Sequence, residues 1–318
     1  MKKRLIVTLA GLLAVGAMAS AANLSLTHEA KLNNHHQGSE VTNDKDQVEY
    51  TLAKGSAKIN DDWSFIFDLD RDYYDVDGGD NYQGWDGEFG FKRKLADYDM
   101  FGKTWSNDIR FEMDYDAYDS VKNGTGTDSV SEKYYIKYVN STSLTERTDF
   151  GWYTELGYQT SDKDEYTSGV KTTNGHSSDL RAQLDFSLDT TWNEYWNSYT
   201  EVYLWYKENA DRLDVDVEHY TNFAYPLFEG DKTSLTFNTE FGIESYDHTW
   251  KKGRDADSTE FYVQPGLLAK YKHDDALSFH AYAGYKVYDD NTSIHDTSST
   301  GHTADNEFEA VVGFKAVM

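Results

Sequence analysis

Apolar side chains recur at every second position in runs of about ten residues, and this period constrains the fold more than any other feature of the chain. Between Leu277 and Val287, for example, the apolar odd positions alternate with Ser278, His280 and Lys286. A strand with one apolar face has this period of two, whereas an amphipathic helix repeats every 3.6 residues. The chain is therefore predicted to be built from β-strands.

Fourteen such runs are counted, and twelve or sixteen strands would also fit the pattern. Ten runs alternate clearly, namely 63–69, 89–91, 109–115, 134–138, 150–158, 180–188, 215–225, 235–243, 261–269 and 277–287. Four less regular runs, 24–32, 48–52, 202–206 and 308–318, complete the set. The second and ninth runs leave open which side chains share the apolar face. Pro265 falls inside a run, so a β-bulge is expected there, whereas Pro226 lies near a turn and is expected to cause no disruption.

The links between the runs alternate between short and long. Short links fall near 60–62, 95–103 and 141–146, and long ones at 33–46, 74–84 and 160–176. Outer-membrane barrels have short periplasmic turns and long outer loops. The sequence therefore predicts an all-β, transmembrane, antiparallel up-and-down β-barrel of about fourteen strands, with both termini in the periplasm. A soluble β-sandwich would show the same alternation, but not this order of links.

Composition agrees with a barrel in a membrane. Mean hydropathy is −0.76 and hydrophobic residues make up 38 %, yet aromatic residues reach 15 %. Only every second residue of a barrel strand faces lipid, which reconciles these values. Aromatic side chains are expected at both membrane interfaces, among them Trp63 and Trp105 on the periplasmic side and Tyr158 and Trp205 on the outer side. The chain contains no cysteine, and its acidity argues against a nucleic-acid partner.

The first residues have the pattern of an export signal. Lys2, Lys3 and Arg4 precede a short apolar run, and small residues follow. We place the signal peptide at residues 1–21, with cleavage after Ala21 or, as an alternative, after Ala19. An N-terminal anchor helix would need a longer apolar run. Residues 22–318 are then one outer-membrane barrel domain, and loss of the leader changes the formal net charge from −26 to −29.

The predicted inward face is mostly charged, which favours a water-filled pore over a packed interior. Acidic residues outnumber basic ones there, so we expect a weak preference for cations, although many of these charges can also pair across strands. The residues predicted to line the pore are Asp68, Asp70, Glu88, Asp108, Arg110, Glu112, Asp114, Lys133, Lys137, Glu155, Arg181, Asp185, Glu218, Glu240 and Glu260. A non-conducting adhesin or structural barrel with surface-exposed binding loops is the alternative.

Two other kinds of site are considered and not favoured. The pairs His295–Asp296 and Asp247–His248 are too isolated to predict an enzyme, so no catalytic residue is assigned. Asp75, Asp77 and Asp80 form a weak candidate for a metal site, but Asp80 occupies the position of the calcium-loop glycine. A solvated acidic turn explains them as well. No cofactor is predicted.

The last strand, with Phe308, Val312 and Phe314 on one face, resembles the terminal sorting signal of bacterial outer-membrane barrels, although Met318 replaces their usual aromatic end. The segments TFNTEFGIESYDHTWKK and STEFYVQPGLLAKYKHDDALSFHAYAGYKVY resemble late hairpins of the fusobacterial major porins, and more loosely the fourteen-stranded porin G family. This resemblance implies passive diffusion of small hydrophilic solutes. The expected partners are outer-membrane lipid and lipopolysaccharide, the barrel assembly machinery and these solutes, with the protein a monomer or a trimer.

Overall fold

The computed structural model describes residues 24–37, 45–76, 82–121, 125–207, 212–247, 256–294 and 299–317. The predicted leader, residues 1–21, lies outside these ranges. The strands are β1 (Leu24–Gln37), β2 (Lys45–Lys58), β3 (Trp63–Val76), β4 (Tyr82–Lys94), β5 (Tyr98–Met100), β6 (Lys103–Asp119), β7 (Gly126–Thr145), β8 (Thr148–Thr167), β9 (Val170–Thr191), β10 (Trp196–Lys207), β11 (Arg212–Glu229), β12 (Thr233–Asp247), β13 (Ala256–Lys272), β14 (Leu277–Ile294) and β15 (Ser299–Val317).

The strands close into a ring. Each long strand pairs antiparallel with the next one along the chain, and β1 pairs with β15. The short strand β5 pairs only with β6 among the described residues, while β4 pairs with β6 directly. The ring therefore holds fourteen strands, which confirms the predicted all-β, antiparallel up-and-down barrel.

The pairing register gives the wall two chemically different faces. Phe65, Phe91, Phe111 and Ile136 form one continuous row across β3, β4, β6 and β7. The exposed apolar side chains share this face, and Leu156 is 68 % exposed, whereas the adjacent Glu155 is 3 % exposed. Side chains converge on the concave side of a ring and spread apart on the convex side. The apolar face is therefore the outside of the barrel, and the face of Glu155 lines the lumen.

The apolar outer face forms a band of limited height. On β8 the band begins at Phe150 and continues through Trp152 and Leu156 to Tyr158. This is nine residues from end to end, close to the 9–11 residues that a tilted strand needs to cross a membrane. Trp152 packs edge-on against Tyr138, with ring centroids 5.8 Å apart. Aromatic rings thus lie at or near both ends of the band.

Strands β7, β8 and β9 continue well beyond the band. β8 runs from Tyr158 to Thr167, which at about 3.3 Å per residue adds about 30 Å. Ser168 and Gly169 then make a two-residue turn in which both φ angles are positive, 51° and 79°, as in a type I′ hairpin. The prediction of a long loop at 160–176 was therefore wrong. The segment has no apolar alternation because both of its faces are polar, and cross-strand ion pairs such as Lys171–Asp164, 2.7 Å, support it instead.

The two prolines behave in the opposite way to the prediction. At Pro265 the register of β13 with β12 and β14 continues without a shift, so the expected bulge is absent there. In the ladder between β13 and β14, Gln264 and Pro265 have no paired residue. Proline has no backbone N–H to donate, so the ladder is interrupted at this place without a shift of register. Near Pro226 the register between β11 and β12 does shift, because Leu227 is an extra residue in β11. The bulge thus lies beside a turn, where the ladder is about to end.

The link 95–103 folds back against the outside of the barrel at the end where the short turns lie. Tyr98 stacks on Trp105 and its hydroxyl donates a hydrogen bond to Asn140 Oδ1, 2.9 Å away. The Asn107 side chain donates to the Ala96 carbonyl at 2.9 Å. Asn140 and Asn107 would otherwise be polar groups on the apolar face, so the β5 segment explains how they are buried.

Candidate functional site: the lumenal wall

The register places all fifteen predicted pore-lining residues on the lumenal face. One row across the wall runs Asp68, Glu88, Asp114 and Lys133 from β3 to β7. The next rows place Glu112 beside Tyr135 and Lys137 beside Glu155. Arg181, Asp185, Glu218, Glu240 and Glu260 follow on the same face of β9, β11, β12 and β13. The predicted alternation therefore brings these side chains together, but it does not predict how they pair.

The part of the lumenal wall formed by β4, β6, β7 and β8 is a network of ion pairs. Lys92 and Arg110 both contact Asp108, at 3.1 Å and 2.7 Å. Lys133 contacts Glu155 at 2.6 Å. The four basic residues Lys92, Arg110, Lys133 and Lys137 face the four acids Asp108, Glu112, Asp114 and Glu155. We call these eight residues the ion-pair sector, and its formal charges balance.

Lys137 lies at the centre of this sector. Its Nζ atom is 3.8 Å from Glu112 and 3.6 Å from Glu155, and it also lies 4.6 Å from the centre of the Tyr153 ring. Glu112 is 4 % exposed, so its carboxylate depends on these neighbours for compensation of its charge. The sector is a stiff, neutral part of the wall rather than a set of charges available to solutes.

The adjoining wall, from β9 to β12, has a different composition. The Tyr203 hydroxyl contacts Glu201 at 2.6 Å and Glu218 at 3.3 Å. The Tyr220 hydroxyl contacts Glu218 at 2.8 Å and Glu244 at 3.0 Å. Asp185 lies on the same face at one end, opposite Tyr203 in the register of β9 with β10. We call Asp185, Glu201, Tyr203, Glu218, Tyr220 and Glu244 the tyrosine–carboxylate ladder.

Sequence reasoning identified only Asp185 and Glu218 of this ladder. It missed Glu201 and Tyr203 because the parity of the ninth run was ambiguous, and it did not select Tyr220 and Glu244, although their runs alternate clearly. Trp205, expected at the outer interface, is on the lumenal face instead. The Trp205 indole donates a hydrogen bond to Asp216 at 2.8 Å. A usable signal is present in the sequence, because Glu-x-Tyr recurs on successive strands: Glu201–Tyr203, Glu218–Tyr220, Glu244–Tyr246 and Glu260–Tyr262.

A third group of acids lies on β3, β4 and β6. Asp70, Asp86 and Asp116 are directly opposite one another across these three strands. Like charges placed directly opposite are unfavourable unless a cation or a proton compensates them. One row nearer the short turns, Asp68 pairs with Lys54 at 2.7 Å. The three aspartates add to the acidic excess of the lumenal wall.

The lumen contains open space at the end of the barrel where the short turns lie. A cavity of about 670 Å³ is bounded by the turns at 230–233 and 274–277 and by lumenal side chains of β1, β13, β14 and β15. His280 contacts Glu29 at 2.9 Å inside it. A second cavity, of about 370 Å³, lies further along the lumen beside Glu240, Gln264 and Tyr282.

The weak metal candidate is only partly described. Asp75 lies in β3, and Asp77 and Asp80 lie outside the described residues. His248, His295 and Asp296 are outside them as well. Within the described ranges, no group of three or more His, Asp or Glu side chains is arranged to hold a metal ion. Over the same part of the chain, no helix has the length and apolarity needed to cross a membrane.

No protein-family model matches the chain, and no curated protein does. One similar solved structure is the β domain of the Bordetella autotransporter BrkA. The two chains are 10 % identical, the match covers 93 % of this chain and 99 % of the BrkA domain, and the TM-score is 0.45. The monoaromatic hydrocarbon channel CymD has 8 % identity, 93 % and 88 % coverage and a TM-score of 0.43. The Vibrio cholerae outer membrane protein OmpT has 12 % identity, 93 % and 100 % coverage and a TM-score of 0.37.

Proposed function

We propose that the protein is an outer-membrane porin that allows passive diffusion of ions and small hydrophilic solutes, with a weak preference for cations. One observation carries this proposal: a closed ring of fourteen strands has an apolar outer band and a charged lumenal face. Barrels of eight strands are filled by side chains, whereas those of sixteen to eighteen strands hold an aqueous channel. A charged lumen in a ring of fourteen favours water over a dry core.

The geometry of the band supports a place in the outer membrane. Its nine-residue height on β8 matches the hydrocarbon region, and both described ends of the chain, Leu24 and Val317, lie with the short turns. Short turns are periplasmic in outer-membrane barrels, so we place the termini in the periplasm. Outer-membrane lipid and lipopolysaccharide are then the partners of the outer face. β15, which closes the ring against β1, is the segment we assign to the assembly machinery.

The preference for cations rests on how the lumenal charges divide. The ion-pair sector is neutral, so it contributes little net field. The tyrosine–carboxylate ladder and the row Asp70, Asp86 and Asp116 add negative charge. Carboxylates that surround a pore favour the entry of cations. The sum of the wall, rather than any single residue, sets this preference.

The test is single-channel recording of the refolded protein in a planar lipid bilayer. Stable ohmic steps and a reversal potential of the sign for cations in a KCl gradient are expected. A reversal potential of the opposite sign would remove the cation preference. A barrel that migrates as folded on an unheated gel but gives no current would remove the porin itself.

A second candidate is a non-conducting adhesin or structural barrel, and the extension of β7, β8 and β9 favours it. About 30 Å of paired strand beyond the membrane band is more than a channel requires. The extension also offers the edge of β9 from Val170 to Leu180, which pairs with no described residue of β10. Replacing residues 162–176 with an Asn-Gly turn discriminates the two: a porin keeps its conductance, whereas an adhesin loses adhesion to its host surface.

A further inference from the structure

The cavity at the end of the lumen where the short turns lie has basic side chains in its wall. Its volume is about 670 Å³. Lumenal side chains of β13, β14, β15 and β1 line it, among them Lys270, His280, Lys315 and Glu29. Pockets that bind small molecules measure about 300–1,000 Å³. The cavity therefore has room for a small solute.

The register gives the arrangement of these side chains. Lys270 of β13 lies directly opposite His280 of β14, which in turn lies opposite Gly313 of β15. One row nearer the short turns, Ser278 lies opposite Lys315. With strands about 4.8 Å apart and a rise of about 3.4 Å per residue, the two lysine backbones are about 12 Å apart. Two flexible four-carbon side chains can bring both ammonium groups to one ligand between them.

Two small residues keep the space between the lysines open. Gly313 and Ser278 lie on β15 and β14 between the two lysine positions. A Cβ atom at Gly313 would lie 2.6 Å from Glu29 Cγ and 2.8 Å from His280 Cε1, so a side chain there would displace both groups. Ser278 adds a hydroxyl that has no hydrogen-bond partner among the described residues. The cavity thus has a shallow wall with a free donor.

The acids that line the same cavity are engaged or lie at its rim. Glu29 is held by its imidazole neighbour, with 2.9 Å between the Oε1 and Nε2 atoms. Asp274 accepts hydrogen bonds from two backbone N–H groups of its own turn, both at 2.8 Å. Asp275 contacts Lys272 at 2.6 Å. Asp231 lies in an exposed turn at the rim. These carboxylates therefore leave the inner lysines uncompensated.

Lys270 and Lys315 differ in this respect from other lumenal lysines. Neither of them takes part in an ion pair or a hydrogen bond with the part of the chain that the structure describes. Lys92, Lys133 and Lys137, by contrast, all contact carboxylates of the ion-pair sector. Two ammonium groups that share one cavity repel each other, and an anion between them removes this repulsion.

We infer that this cavity is a binding site for the phosphate group of a small anionic solute. Lysine is a common ligand of phosphate, to which its ammonium offers a point charge and three donors. Two lysines match the charge of a phosphate, and the Ser278 hydroxyl supplies a further donor. The inference goes beyond the proposed function, because the lumen as a whole is acidic and this site is local to one end of it.

The probe is inorganic phosphate at neutral pH. Its binding to the refolded barrel in a phosphate-free detergent is measured by phosphorus NMR, with NaCl replacing phosphate at constant ionic strength. The double variant Lys270→Gln with Lys315→Gln keeps the approximate length of both side chains and is expected to weaken binding at least about tenfold. Ser278→Val keeps both lysines but removes the hydroxyl, and it is expected to weaken binding about fivefold.

The matched control is the double variant Lys163→Gln with Lys171→Gln, which removes the same charge from the extension of β8 and β9. It is expected to change phosphate binding less than about twofold. Equal weakening by both double variants would show a general effect of charge and overturn the inference, as would equal competition by chloride. Unchanged binding in Ser278→Val would also overturn it, because the anion would then lie elsewhere. If the cavity double variant does not fold, Lys315→Gln replaces it, with Lys171→Gln as its control.

Bilayer recording of the same protein separates this inference from the proposed function. Stable conductance without saturable phosphate binding overturns the inference and leaves the porin. Saturable binding that depends on the two lysines, in a barrel without conductance, supports the site and removes the porin. Conductance that phosphate reduces in the native protein, but not in the lysine double variant, supports both.

Discussion

The substitution Gly242→Ala tests how closely the lumenal wall is packed. Gly242 lies in β12 directly opposite Tyr262 of β13. A methyl group at this glycine would overlap the Tyr262 ring, so the ring would have to move. The ring is held in place by its hydroxyl, which donates to Glu240 at 2.6 Å, and by the Lys286 ammonium 3.9 Å from its centre. Both contacts would be lost or weakened.

The expected loss of stability follows from these two contacts. A hydrogen bond to a charged group contributes about 1.5–3 kcal/mol, and a cation–π contact about 0.5–1 kcal/mol. Replacing a strand glycine with alanine returns about 0.5–1 kcal/mol through the unfolded chain. Gly242→Ala is therefore expected to lower the free energy of unfolding by about 2 kcal/mol.

The assay is urea unfolding in lipid vesicles, followed by tryptophan fluorescence, with the midpoint compared at an unchanged slope. Gly175→Ala is the matched control, because the nearest atom to its added methyl is the Lys163 carbonyl oxygen at an ordinary 3.4 Å. The double variant with Tyr262→Ala isolates the clash. If Gly242→Ala costs as much in the Tyr262→Ala background as in the native protein, the ring is not the cause and the reasoning fails.

Leu156→Arg, in the outer band, is expected to destabilise the barrel by about 2–4 kcal/mol, whereas Val170→Arg, beyond it, is expected to have little effect in the same titration. Phe101 has a φ of 54°, a conformation that favours Asn or Gly. Phe101→Asn is therefore expected to raise the free energy of unfolding by about 1 kcal/mol, seen as a higher urea midpoint. The Lys58 ammonium lowers the pKa of Asp61. The contact between Lys58 and Asp61 therefore stabilises the fold above the unfolded pKa of about 3.9, and this contribution is lost as the pH falls through the lower pKa of the folded state. An NMR titration of the Asp61 carboxyl group measures the folded pKa, and a pKa above the unfolded one would contradict the prediction.

The period of two in the sequence was enough to predict the closed barrel, because each apolar run fixes which side chains face outward. From this period the ten clear strands were predicted, as was the side of the wall on which each of the fifteen predicted lumenal residues lies. It failed where no apolar face exists: the paired segments beyond Tyr158 are polar on both sides and were predicted as a loop. It also could not predict that β5 would cover Asn140, since that contact joins residues 42 apart in sequence.

Pairing within the lumen depends on register, and a shift of one residue moves a side chain to the other face. Bulges at Thr27/Glu29 and Thr51/Ala53 make such shifts on both edges of β2, which is why that run had no clear parity. Counting inward acids and bases therefore predicts the sign of the lumenal charge but not its distribution. The register puts the bases against acids on β4 to β8 and leaves tyrosines against acids on β9 to β12. This division gives the lumen one wall in which lysine and arginine side chains contact the acids and another in which tyrosine hydroxyls contact them.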